Sequence, residues 1–495
     1  MKKNEALPNK RAKSGIVGLD DILNGGFPKG HLFLLQGDPG TGKTTLGMQF
    51  LIAGRDLGEK GLYITLSESR SELLGVAASH GWSLDGIDIF EMVPDEEKLS
   101  REAQYTVFHP SEIELADTTA SIIKYVDESK PVRIVFDSLA ELQMLAGDPL
   151  KYRRQILGLK RYFTARQHTV MLLDDRSNNR EDLQIQSVAH GVVAMESMPR
   201  NFGITRRRLE VKKLRGSRFR EGFHDYNILT GGLVVYPRLV ASEHHYEIKR
   251  ERLDSGLPGL DQLLGGGIDT GTSTLIMGPA GCGKSTVGAR YALTAAQRGD
   301  HAVIYTFDET LATMLDRASG LGLDLRGYVK KGKIHVQQVD PAEMSPGQFI
   351  QEVRTQVTEK NAKVVIIDSL NGFLNAMPGE SELILQMHEL LSFLNQKGVA
   401  TIMTMAQQGL FGAAMSSPVD LTYLADTVLL FRYYEYLGEM RQAVSVVKKR
   451  TGAHERTIRE LTMKPGEVKI GPALDYFEGV LTGVPRALKK AGTAS

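Results

Sequence analysis

The chain of 495 residues carries 60 Lys and Arg against 59 Asp and Glu, a net charge of +1. That balance gives no global pull toward nucleic acid or acidic membranes, and 42% hydrophobic with 24% charged residues fits an ordinary globular composition. A single cysteine, Cys282, excludes an internal disulfide framework and a multi-cysteine zinc site. No apolar run approaches the roughly 20 residues of a membrane span, and Met1-Lys-Lys-Asn-Glu-Ala lacks an apolar signal core. The length suits two or three domains, and the expected compartment is the cytoplasm.

In chain order, residues 1–13 hold five Lys/Arg against one Glu and read as a flexible, solvated tail. The apolar strand pattern Leu32-Phe-Leu-Leu-Gln36 follows. It leads into Gly37-Asp-Pro-Gly-Thr-Gly-Lys-Thr44, which fits G-x-x-x-x-G-K-[ST] and opens a helical pattern from Leu46. Glycines let backbone N–H groups turn inward around phosphate oxygens, and the helix N-terminus adds partial positive charge. The expected nucleotide contacts are Gly40, Thr41, Gly42, Lys43, Thr44 and Thr45.

The motif recurs as Gly278-Pro-Ala-Gly-Cys-Gly-Lys-Ser285 after Thr274-Leu-Ile-Met277. This nominates Gly281, Cys282, Gly283, Lys284, Ser285 and Thr286, with Cys282 read as a packing choice rather than a nucleophile. Gly18-Leu-Asp-Asp-Ile-Leu-Asn-Gly-Gly-Phe-Pro-Lys-Gly30 also recurs, as Gly259-Leu-Asp-Gln-Leu-Leu-Gly-Gly-Gly-Ile-Asp-Thr-Gly271. Both 259 − 18 and 284 − 43 give 241, so the chain is a duplicated domain rather than a short-period solenoid. Expected domains are 14–242 and 243–484, with a short tail over 485–495. Strand patterns at Gly61–Leu66 and Ala302–Phe307, at Val132–Asp137 and Val364–Asp368, and at Thr169–Leu173 and Ala400–Thr404 alternate with helical segments such as Leu383–Leu394. That alternation predicts an α/β fold with a mostly parallel sheet flanked by helices in each half. Leu209–Leu214 and Ala443–Lys448 read as late antiparallel strands. His244 and His245 fall between the halves and read as linker residues rather than metal ligands.

Thr44 with Asp137, and Ser285 with Asp368, form hydroxyl and carboxylate pairs suited to Mg²⁺. A group that orients the nucleophile is needed beside the γ-phosphate, which nominates Glu68, Asp308 and Glu309. Lys213, Arg215, Lys448 and Arg450 lie far along the chain from their own loops. Cations supplied from a neighbouring subunit would explain them, with nucleotides at the seams of a ring.

Together these residues resemble the KaiC family, a branch of the RecA-like ATPases. The resemblance spans nearly the whole chain, and Ala425-Asp-Thr-Val-Leu-Leu-Phe-Arg-Tyr433, Gly438-Glu-Met440 and His454-Glu-Arg-Thr-Ile-Arg-Glu460 carry it most specifically. It implies two tandem RecA-like P-loop domains in a two-tiered homo-hexamer with ATP and Mg²⁺ between subunits. A first domain that hydrolyses ATP slowly and a second with serine/threonine autokinase and autophosphatase activity are implied as well. KaiB-like or signalling-kinase partners follow from the resemblance alone.

Three departures bear on that expectation. The family's paired glutamates become Ser67-Glu68 and Asp308-Glu309, which puts first-domain hydrolysis in question. Its neighbouring phosphoacceptors fall on Thr422 and Tyr423 when Asp426 and Thr427 anchor the alignment, with Thr422 the better geometric match. The short run after Gly483 predicts no KaiA-type activation. Lys151, Arg153, Arg154, Lys160 and Arg161 read as a solvated helix face and Arg206-Arg-Arg208 similarly, so nucleic acid is not the expected partner. Trp82 reads as core or as a flank of the base. An ATP-binding scaffold with weak turnover and a DNA-dependent motor of the same fold remain the alternatives.

Overall fold

The structure, a computed structural model, describes residues 11–92, 110–175, 181–199, 202–241, 250–375, 382–407, 422–482 and 486–487. It divides into two units between Arg238 and Leu239, slightly before the expected 242/243 boundary. Leu239 packs in the second unit's apolar core, and the Ala241 amide donates to Glu389 Oε2 at 2.8 Å. These contacts place Leu239 and Ala241 in the second unit.

Leu32–Gly37 is buried at every position, which a strand achieves only when both sheet faces are covered. It is central in a nine-stranded sheet. In spatial order the strands are Ile87–Glu91, Gly61–Thr65, Arg133–Asp137, Thr169–Asp175, Leu32–Gly37, Gly191–Met198, Arg206–Leu214, Phe223–Leu229 and Gly232–Tyr236. The strands from Ile87–Glu91 to Gly191–Met198 are parallel, and the remainder continue antiparallel. The second unit repeats this order with Ile334–Gln338, His301–Thr306, Ala362–Asp368, Ala400–Ala406, Ser273–Gly278, Thr427–Tyr436, Glu439–Lys449, Ile458–Lys464 and Glu467–Ala473. The shared offset of 241 is therefore a repeat of topology as well as of sequence.

Apolar cores cover both faces of each sheet. The helix Pro149–Ala165 shows how: Tyr152, Ile156, Leu159 and Phe163 recur at helical spacing and are buried against the sheet. Its basic side chains face outward or, like Lys160, donate to a carbonyl, here Val188 O at 2.6 Å.

Three expectations change. The tail read over 1–13 is structured from Arg11, because Arg11–Ala12 pairs with Phe27–Pro28. Likewise Arg486–Ala487 pairs with Phe477–Glu478 within the segment read as a C-terminal tail. Arg206 is not on a solvated face. It is buried in an ion pair with Asp225 at 3.0 Å, and Arg208 pairs with Glu196 while lying over the Phe223 ring. Charge patterning alone did not distinguish these from surface arginines. Trp82 packs at the edge of the first core, against the backbone of Gly232. His244 and His245 lie outside the described residues.

Candidate functional site

Each phosphate loop ends in a glycine that only glycine suits. Gly42 (φ 91°) and Gly283 (φ 97°) cap the helices Lys43–Asp56 and Lys284–Gln297 in the left-handed region. Neither cap supplies a side-chain hydrogen bond, so the first-turn N–H groups face the loop for an anion to satisfy. A Cβ on Gly42 would stand 2.8 Å from Ile228 Cδ1, and one on Gly283 3.0 Å from Leu461 Cδ2. The loops are thus packed against the late antiparallel strands of their own units.

Lys43 and Lys284 are both mostly buried and hydrogen-bonded across their own loops. Lys43 Nζ donates to Gly37 O at 2.6 Å and Asp38 O at 3.2 Å; Lys284 Nζ donates to Gly278 O at 2.9 Å and Pro279 O at 2.7 Å. Cys282 is buried, and burial raises its thiol above the ordinary range, which suits a packing residue.

The two strand-end aspartates sit beside the loop hydroxyls. Thr44 Oγ1 donates to Asp137 Oδ2 at 3.0 Å, and the Ser285 hydroxyl similarly supports Asp368. Their other donors differ. Tyr63 OH reaches Asp137 Oδ2 at 2.5 Å from the strand on one side, while Thr404 Oγ1 reaches Asp368 Oδ1 at 2.5 Å from the strand on the other. Burial raises both carboxyls, and these hydrogen bonds oppose the rise.

The nominated acids fare differently in the two units. Thr65 Oγ1 accepts from Glu68 N at 3.0 Å and donates to Glu68 O at 2.7 Å, and a Ser69/Glu72 capping box starts the next helix. These contacts fix the Glu68 backbone while its Oε2 atom is buried without a partner among the described residues. Burial, then the neighbouring Asp137 and Glu72 charges, push its carboxyl up. Glu309 instead meets Arg317 at two points, Nε to Oε1 at 3.1 Å and Nη2 to Oε2 at 2.7 Å. Arg317 Nη1 also donates to Thr286 Oγ1 at 3.0 Å. Asp308 Oδ2 accepts from Ser369 Oγ at 2.6 Å. Glu309 and Arg317 help line a cleft of about 280 Å³ with Gly281, Gly283, Lys284 and Ser285.

The distant cations share one position in both units. Lys213 lies opposite Val192, itself opposite Leu34; Lys448 lies opposite Val428, itself opposite Leu275. Each loop leaves the other end of its strand, three residues on after Gly37 or Gly278. That is roughly 10 Å along the strand, with two further strand spacings of about 5 Å across. Neither lysine lies beside its own loop. Lys213 Nζ is held by Gln186 O and Arg215 Nη2 by Ser187 O at 2.8 Å. Lys448 Nζ donates to Thr422 O at 2.8 Å and Ala425 O at 2.7 Å, and Arg450 Nη2 to Tyr423 O at 3.1 Å. The candidate phosphoacceptor segment is therefore tethered to the second pair of cations. Thr422 is partly buried and Tyr423 is exposed.

Tyr63, Arg317, Ser369 and Thr404, together with Asp175, whose carboxylate pairs with Lys43 Nζ at 2.8 Å, are not among the residues the sequence nominates. Asp174-Asp175 closes an apolar strand much as Asp137 does, a signal that pointed to it.

Paired phosphate loops, each followed by a strand-end aspartate on a parallel sheet with an antiparallel extension, define a tandem RecA-like P-loop ATPase. A family model described as "ATPase: KaiC" matches residues 12–240 and 253–475, and the chain belongs to the KaiC family. It is similar to the circadian clock oscillator protein KaiC of Acaryochloris marina, 26% identical over 95% of this chain and 90% of that one. Against KaiC of Prochlorococcus marinus the figures are 26%, 97% and 96%. Against the circadian clock protein KaiC3 of a Synechocystis strain they are 25%, 96% and 94%. Among the described residues no helix is long and apolar enough to cross a membrane.

Proposed function

We propose that the chain is an ATP-hydrolysing homo-hexamer with nucleotides at subunit seams and a serine/threonine autokinase in its second domain. The observation that carries this reading is the shared position of Lys213 and Lys448, at the opposite end of the sheet from their own loops. Cations so placed serve a nucleotide on an adjacent subunit, as a trans arginine serves other phosphoryl-transfer sites. Thr44 with Asp137, and Ser285 with Asp368, fit Mg²⁺: a hydroxyl and a carboxylate are hard oxygen donors, and phosphate oxygens and water complete the shell. The bound ion neutralises phosphate charge during transfer.

In the first domain Glu68 is the base that takes a proton from water, since its carboxylate is partly desolvated and, among the described residues, no cation pairs with it. In the second, Asp308 takes the proton from the Thr422 hydroxyl of the neighbouring subunit. The Thr422 oxygen then bonds to the γ-phosphorus while the bond to the bridging oxygen breaks, releasing ADP. Glu309 is committed to Arg317 and serves mainly to place that cation near the phosphates. Incubation with γ-labelled ATP and mass mapping of protein-bound phosphate tests the kinase. Label on Thr422 that disappears in Lys284→Ala supports it, and steady phosphate release with no protein label contradicts it.

A further inference from the structure

The two phosphate lysines differ in one contact. Lys43 Nζ donates to Gly37 O and Asp38 O and also forms an ion pair with the Asp175 carboxylate at 2.8 Å. Lys284 meets the corresponding carbonyls, but its remaining contact is Cys282 Sγ at 3.9 Å. Among the described residues no carboxylate pairs with Lys284. The difference is fixed by register: Asp175 stands opposite Gly37, and Ala406 stands opposite Gly278 at the same place in the second sheet.

We propose that Asp175 determines the cation specificity of the first phosphate site, making it take Mg²⁺-loaded nucleotide and reject free nucleotide more stringently than the second site does. The inference rests on the reading that both loops bind nucleotide. A phosphate reaching Lys43 competes with the Asp175 carboxylate for its charge. Asp175 lies at the strand end with its side chain half-exposed. It is near enough to Asp137 for the two charges to interact, and Glu68 in turn feels Asp137. An incoming polyphosphate therefore meets three carboxylates and one lysine. Like charges gathered where solvent screening is partial repel one another. A divalent cation between phosphate and carboxylates reverses the sign. The second site places Ala406 where Asp175 stands, and its carboxylates Asp368, Asp308 and Glu309 are offset by Arg317 as well as by Lys284, so its need for the metal is smaller.

Titration of a fluorescent ADP analogue into the full chain, in Mg²⁺ and in EDTA, tests this. Lys284→Ala leaves the first site and Lys43→Ala the second. The first site is expected to lose far more affinity in EDTA than the second. Adding Asp175→Asn to Lys284→Ala is expected to raise the affinity in EDTA about tenfold, the size of one partly screened charge contact, with little change in Mg²⁺. The reciprocal Ala406→Asp in Lys43→Ala is expected to weaken binding in EDTA. Intact binding in Mg²⁺ with no gain from Asp175→Asn in EDTA would overturn the proposal while leaving the nucleotide reading standing. Absence of binding by both single-site proteins in Mg²⁺ would overturn the nucleotide reading and the proposal with it.

Discussion

Arg317 and Glu309 are joined at two points beside the second phosphate loop, whereas among the described residues no cation pairs with Glu68, at the matching position in the first domain. The residue corresponding to Arg317 at the offset of 241 is Val76. Two glutamates with the same backbone setting thus have opposite electrostatic surroundings. One is neutralised and the other is free to accept a proton.

Glu309→Gln is therefore expected to cost stability more than chemistry. It leaves a largely enclosed arginine without its partner, at about 1 kcal/mol for a pair that keeps some solvent contact. Calorimetry should show a lower transition for the second domain with phosphate label retained. Asp308→Asn should lower the labelling rate about 100-fold or more, the usual loss when a proton acceptor is removed.

Glu68 gives a pH dependence of definite sign. Burial raises its carboxyl, so hydrolysis by the first domain, measured in Lys284→Ala, should begin to fall on acidification above the ordinary glutamate range. Linkage gives the companion effect. A carboxyl raised in the folded state stabilises the fold when protonated, and that contribution is lost as pH rises through its folded value. Glu68→Gln should then remove turnover at neutral pH and raise the first-domain melting temperature. A lowered melting temperature would contradict this placement.

Tyr63→Phe and Thr404→Val each remove one donor from a strand-end carboxylate. About 2 kcal/mol is expected for a hydrogen bond to a charged group that loses solvent on folding. Since Asp137 must be ionised for Tyr63 to matter in this way, the penalty should shrink as pH falls through the raised Asp137 range. Trp82, the one tryptophan in the chain, lies in the first unit and reports its denaturation alone. Calorimetry serves for Thr404→Val.

Gly42→Ala and Gly283→Ala force a side chain into the left-handed region and against Ile228 or Leu461. A loss of about 1–2 kcal/mol from backbone strain alone is expected, with loss of nucleotide binding at the altered loop. Equilibrium titration of each single-loop variant checks it.

The features legible in the sequence are those carried by contiguous runs. The duplicated loops, the strand-end aspartates and the late antiparallel strands each declare themselves within about ten residues, and the matching offset assembles them into two domains. What was hidden depends on strands that are adjacent in space but distant in the chain. Asp137 sits between Gly61–Thr65 and Thr169–Asp175, so Tyr63 and Asp175 approach it from opposite sides. Arg206 shows the same gap in reverse, because the buried Asp225 that neutralises it arrives with the following strand.

The central claim, that each nucleotide is completed by cations of a neighbouring subunit, is tested most directly by mixing two inactive proteins. In an Lys284→Ala background, Arg215→Ala keeps Lys43 but lacks the donated guanidinium, and Lys43→Ala keeps Arg215 but lacks the loop lysine. Mixed assemblies contain seams with both residues intact, and ATP hydrolysis absent from either protein alone should return. No recovery in assemblies shown to contain both proteins would contradict nucleotide sites shared between subunits.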